Sequence, residues 1–172
     1  MDGVEIRLFG EGDSIEGLTD LLHRAYAELG RLGLNYTAVD QDAVVTHRRI
    51  EGRECRVALL GGAFVGTVTL ARERPRDVPD LWDGVPVAYL SQFAVDPALR
   101  GRGIGRLLLD RSEERARELG FAAVALDTAA PAEHLVRIYA ARGYREVGRM
   151  RWRGKVYESV ILSKPLDPPE VA

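Results

Sequence analysis

Residues Ala98–Arg111 read ALRGRGIGRLLLDR, with glycine at the alternate positions 101, 103 and 105 and arginine at 100, 102 and 106. Glycine lets a backbone take positive φ angles and approach a ligand closely. The apolar run that follows at helical spacing predicts a helix starting inside the segment, and the first N–H groups of a helix point toward an anion. Upstream, Val87–Val95 (VAYLSQFAV) reads as a strand that Asp96-Pro97 ends. Strand, glycine turn and helix in that order leave two readings, a plain surface turn and a phosphate cradle.

The familiar phosphate motifs do not fit. A G-x-G-x-x-G begun at Gly101 puts Arg106 at the third glycine position, and one begun at Gly103 puts Leu108 there. No Gly-Lys-Ser/Thr occurs, so there is no P-loop. What remains is Arg100-x-x-Gly103-x-Gly105, in the context FAVDPALRGRGIG.

The rest of the chain predicts a mixed α/β protein. Val4–Phe9 alternates like a strand, and Asp13-x-x-Glu16 resembles a capping box for a helix that Gly30 would stop. Asp40–Ile50 reads as a second helix with a thin apolar stripe. CRVALL and AFVGTVTLA flank Gly61-Gly62, a hairpin signal. Arg74–Pro86, with three prolines, reads as a long loop. The helix from Ile104 would put Glu113 among its polar positions and end at Gly120. Phe121–Leu126 is a short apolar strand. Pro131 suits the first turn of a helix with Leu135, Ile138 and Tyr139 on one face, stopped by Gly143. Tyr144–Arg149 and Lys155–Leu162 read as strands joined around Arg153-Gly154. The order is β-α-α-β-β-β-α-β-α-β-β, with a parallel crossover at 87–126 and antiparallel hairpins elsewhere.

The chain has 172 residues, 46% hydrophobic and 29% charged, with a net charge of −2. That length buries a core without staples. No linker divides it, so residues 1–165 read as one domain and 166–172 as a flexible proline-rich tail. The charge argues against nucleic-acid binding. No apolar run is long enough to span a membrane, and the N-terminus does not resemble a signal peptide, so the cytoplasm is the expected compartment. The single cysteine, Cys55, excludes an internal disulfide and reads as a buried, inert thiol. No ligand spacing suggests a metal.

The motif with its strand and helix resembles the acyl-CoA-binding motif of the GNAT superfamily of N-acetyltransferases, Arg/Gln-x-x-Gly-x-Gly/Ala. HLVRIYAARGYREVG resembles the family's later helix and strand, with Tyr139 and Gly143-Tyr144 at the recurring positions. The likeness is good over about residues 50–165. It implies a GNAT-like fold, a mixed central sheet of about seven strands flanked by about four helices. It also implies acetyl-CoA as co-substrate, with no metal. The diphosphate would lie on Arg100, Gly101, Arg102, Gly103, Ile104, Gly105 and Arg106. The pantetheine arm would run along Phe93, Ala94 and Val95, with a backbone N–H near Val95 meeting the thioester oxygen. Tyr139 would protonate the departing thiolate.

The resemblance implies transfer to a primary amine, on a small molecule or a protein, by direct attack. Another acyl group on the same scaffold, or a CoA-binding sensor without catalysis, are the alternatives. The strand YLSQFAV lacks the glutamate that many relatives carry there, leaving Ser91 and Tyr89, on one face with Phe93 and Val95, to position a water. Asp127 and His134 are further candidates for the base. No asparagine precedes Tyr139 around Ala132–His134. Acceptor contacts are expected from Asn35, Tyr36, Gln41, Trp82 and Asp127. A homodimer is implied by the family's habit of pairing through its last strands.

Overall fold

The computed structural model describes residues 3–167. Seven strands form one mixed sheet in the order β1-β2-β3-β4-β5-β7-β6. They are β1 (Val4–Leu8), β2 (Glu54–Leu60), β3 (Ala63–Ala71), β4 (Val87–Val95), β5 (Ala123–Ala129), β6 (Arg145–Met150) and β7 (Ser159–Pro165). The helices are α1 (Ile15–Arg31), α2 (Ala43–Ile50), α3 (Ile104–Glu118) and α4 (Glu133–Ala141). The element order is the expected one. β1–β2, β2–β3, β5–β7 and β6–β7 are antiparallel, and β4 runs parallel to β5, pairing Val87–Tyr89 with Ala123–Ala125.

The described residues divide into two compact units. One holds those up to Leu70 and Ser91–Ser112; the other holds Ala71–Leu90 and those from Glu113 onward. The chain crosses between them inside β3, inside β4 and inside α3, which is why no linker marks the division in the sequence. Five residues of the expected tail, 168–172, lie outside the described residues. Leu166 is buried, and its N–H donates to Ala122 O at 2.8 Å.

In the first unit, α1 buries Leu18 and Leu21 against Cys55, Val57 and Leu59 of β2. Cys55 is buried, and desolvation pushes its thiol pKa up, so it stays a thiol. Several local expectations needed correction. The α1 cap is Ser14, whose Oγ accepts from Gly17 N at 3.0 Å; Asp13 is drawn away by Arg7, which donates to it at 2.7 Å. Gly30 does not stop α1, which continues to Arg31. A Cβ at Gly30 would sit 2.8 Å from Val39 Cγ1, so glycine there serves close packing against the short 3-10 turn Thr37–Val39. Gly61 and Gly62, with φ +58° and +83°, make the β2–β3 turn as expected.

In the second unit, Val87 and Tyr89 of β4, Ala123 and Ala125 of β5 and Ile161 of β7 share a core with Val78. Val78, Leu81 and Trp82 come from the long 72–86 loop, which therefore covers the sheet face rather than hanging free. Pro131 precedes α4 by two residues instead of opening it, and Ala132 takes the cap position. Ile138 is 55% exposed, so the inner face of α4 is Ala132 and Tyr139, with Leu135 and Val136 half-buried. β7 begins at Ser159, four residues later than expected, because Lys155 to Glu158 are spent on the turn. Glu113 was expected on the polar side of α3 but is buried, as the site explains.

Candidate functional site

The three glycines of the opening segment answer two different demands. Gly101 and Gly103 have φ +77° and +81°, angles that side chains resist. Gly105 has an ordinary φ, but a Cβ there would sit 3.0 Å from the Phe93 ring and 3.3 Å from Val95 Cγ2. Glycine at 105 thus lets α3 lie flush on β4. The fit is tightened from β3, where a Cβ at Gly66 would come within 2.8 Å of Leu108. Leu107 N donates to Gly103 O at 3.0 Å as the first helical bond. Helical geometry leaves the N–H groups of Ile104, Gly105 and Arg106 without a carbonyl inside α3, aimed out of its positive end.

The arginines divide as well. The Arg100 guanidinium is held by α1, donating to Glu28 Oε2 at 3.0 Å and to Ala25 O at 2.9 Å. It fastens the turn to α1. Arg102 and Arg106 are exposed, with Arg106 3.6 Å from Asp110.

β4 departs from extended geometry at one residue. Gln92 sits in mid-strand with φ +50° and is 4% exposed. Burial nonetheless alternates through it, with Leu90, Gln92 and Ala94 buried and Ser91, Phe93 and Val95 half-buried. Beyond Gln92, Ala94 packs on Leu22, Ala25 and Ala38, while Phe93 and Val95 meet Gly105. Phe93 O accepts from Tyr26 OH at 3.0 Å. Ser91 is half-buried.

In the second unit, Asp127 of β5 is gripped at both oxygens. Tyr89 OH donates to Oδ1 at 2.9 Å and Trp152 Nε1 donates to Oδ2 at 2.9 Å. Burial first, then the Asp127 charge and hydrogen bond, push the Tyr89 pKa far up, so it keeps its proton and cannot serve as a base.

Tyr139, 7% exposed, meets the Tyr144 ring edge-on at 5.8 Å. Tyr144 OH donates to Glu113 Oε1 at 3.0 Å. The buried Glu113 carboxylate also takes Arg142 Nε at 2.8 Å and Lys164 Nζ at 2.7 Å, the compensation a buried charge requires. Burial and Glu113 drive the Tyr144 pKa far up. The Glu113 cluster holds Tyr144, and Tyr144 backs Tyr139.

The remaining expected residues scatter. Asn35 and His134 are exposed. Tyr36 is half-buried, edge-on to Tyr26 at 5.4 Å. Trp82 gives its indole N–H to Ser163 Oγ at 3.0 Å and covers the core. Gln41, expected as an acceptor contact, is 4% exposed and bonded inside the first unit. Sequence reasoning missed Gln92, Trp152 and Glu113. A lone glutamine in an otherwise apolar strand was the one available signal.

A family model described as the acetyltransferase (GNAT) family matches residues 16–144. A protein of Bacillus subtilis (strain 168) named S-(2-succino)cysteine N-acetyltransferase is 31% identical over 167 residues, covering 93% of this chain and 94% of its own. Among solved structures, the ribosomal-protein-S18-alanine N-acetyltransferase of Escherichia coli superposes with a TM-score of 0.71 at 16% identity, covering 98% of this chain and 99% of that one. A GNAT family acetyltransferase from Elizabethkingia anophelis with acetyl-CoA bound gives a TM-score of 0.65 at 16% identity, over 96% of this chain and 100% of that one. At those identities the structural likeness speaks for the fold.

Proposed function

Taking as premise that the chain belongs to the acetyltransferase (GNAT) family, we propose that it moves the acetyl group of acetyl-CoA onto a primary amine by direct attack in a ternary complex. The observation that carries this reading is the glycine turn. Two left-handed glycines lead straight into the 15-residue α3, and a third seats that helix on β4. Such a turn suits a diphosphate, with Arg102 and Arg106 adding charge at its exposed rim. In this reading the pantetheine arm follows Phe93, Ala94 and Val95, and a β4 backbone N–H polarises the thioester oxygen.

The neutral amine attacks the thioester carbon. The C–N bond forms as the C–S bond breaks, and Tyr139 gives its phenolic proton to the departing thiolate. A proton leaves the new amide nitrogen to water or to the acceptor-side carboxylate, and the phenolate recovers its proton from solvent. Asp127, oriented by Tyr89 and Trp152, is the acceptor-side group in this reading, suited to draw in an ammonium before it loses its proton. The Bacillus subtilis relative, matched along nearly its whole length, supports the α-amine of an S-substituted cysteine or a similar amino acid as the acceptor class.

Calorimetric titration with acetyl-CoA and free CoA, followed by thiol release over a panel of amines that includes S-(2-succino)cysteine, tests this. Binding of both with release on an amino-acid amine is the expected result. Binding without release on any amine would turn the reading toward a CoA sensor, and no CoA binding would overturn it.

A further inference from the structure

Among the described residues only Asp83 and Gln92 are non-glycines at positive φ. Asp83 lies in an exposed loop, whereas Gln92 is buried in the middle of a strand. A backbone held so far from its preferred angles persists only where its surroundings over-determine it. The surroundings here are a buried polar chain. Gln41 Nε2 donates to Gln92 Oε1 at 3.0 Å and to Thr46 Oγ1 at 2.7 Å. Arg49 donates to Gln41 Oε1 at 2.5 Å, and His23 Nε2 lies 2.7 Å from Gln41 O. Thr46 Oγ1 lies 2.8 Å from Thr19 Oγ1. The far side of the Gln92 amide faces Thr69 Oγ1 at 3.5 Å.

Gln41 therefore uses both side-chain N–H groups and its carbonyl, and it cannot rotate without orphaning buried partners. Side chains from α1, α2 and the segment between them converge on one residue of β4. An apolar filling would have packed that space with less to satisfy, so the polar chain has a more specific task than filling. The residue it pins immediately precedes Phe93–Val95, whose backbone the proposed reaction uses.

We propose that Gln41 is a positioning residue for acetyl transfer: it clamps the Gln92 amide, holds the left-handed turn in β4, and so aims the backbone N–H groups that follow. This rests on the acetyltransferase reading above. It also ties acyl activation to α2, whose Arg49 and Thr46 anchor the same glutamine.

The test is a double-mutant cycle with two readouts. Gln41→Leu keeps the bulk and removes the amide, and should lower kcat about tenfold while the KM for acetyl-CoA moves less than about threefold, the pattern of a lost transition-state contact. In a Gln92→Gly background the same substitution should cost less than about twofold, because glycine takes a positive φ unaided. Equal losses in both backgrounds, or no loss, would overturn the proposal. Should Gln41→Leu not fold, Gln41→Glu keeps the Arg49 partner and lacks the N–H donors, and carries the same expectation. Hydrogen exchange without ligand reads the clamp separately: amides of residues 91–95 should exchange faster in the Gln41 variant while those of β2 do not change. Unchanged exchange overturns the clamp. A wild-type protein that does not bind acetyl-CoA breaks the acetyltransferase reading instead, and the exchange result still decides whether Gln41 holds the strand.

Discussion

The glycine turn and the Asp127 cluster are built in opposite ways. In the turn, residues 101–105 carry nearly all the geometry, through their own φ angles and the helix they start. At Asp127 the carboxylate is local to β5, but its orientation comes from Tyr89, thirty-eight positions earlier, and Trp152, twenty-five positions later. The first is a backbone device, tolerant of what surrounds it and intolerant of a side chain. The second is a side-chain device in which each member depends on distant ones. Under the proposed function, substitutions in the turn are expected to act on co-substrate affinity and those in the cluster on turnover and acceptor use.

The largest expected effect lies outside both devices, at Tyr139. Tyr139→Phe removes the proposed proton donor and should lower kcat about 100-fold with acetyl-CoA affinity unchanged, which steady-state kinetics and calorimetry together check. Next comes the backbone half. Gly103→Val forces a β-branched residue to a φ near +81° and should weaken acetyl-CoA binding about 30-fold. Asp127→Asn sharpens the contrast: one of its two donors loses an acceptor, and kcat/KM for the amine should fall about tenfold while acetyl-CoA titrates as before.

Alkaline stability tests the cluster without substrate. Tyr89 holds its proton more tightly folded than unfolded, so its contribution is intact below pH 10 and is lost as the pH climbs above it. Between pH 10 and 11 the unfolding free energy should drop by about 1 kcal/mol for this phenol, with Tyr144 adding a similar slope, and Tyr89→Phe should remove the first share in urea titrations. The smallest effect is expected at the rim of the turn. Arg102→Ala should cost about threefold in CoA affinity, shrinking further at high salt, because an exposed arginine is screened. A large loss there, with little loss for Gly103→Val, would invert the comparison and make the site one of side-chain charge.

Much of the fold was readable because its signals are local. The Gly61-Gly62 turn, the end of α3 at Gly120 and of α4 at Gly143 rest on backbone angles that one residue type favours. The errors fell where a distant partner intervened. Glu113 has the sequence context of a solvent-facing glutamate, yet Arg142, Lys164 and Tyr144 take it inside. Gly30 looks like a helix stop, but Val39 needs its missing side chain. Period-two reading of β4 holds from Leu90 to Val95, but nothing in it signals the left-handed φ of Gln92.

By itself the sequence determined the order of elements, the glycine turn and the start of α3, since these follow from φ preferences and periodicity within a dozen residues. Only the tertiary structure decided which charges are buried, which arginine is tied back to α1, how Asp127 is held and that Gln41 reaches Gln92. Those outcomes are settled by desolvation. A buried polar group must find a partner, and the partner is chosen by where the fold brings it, not by its place in the chain.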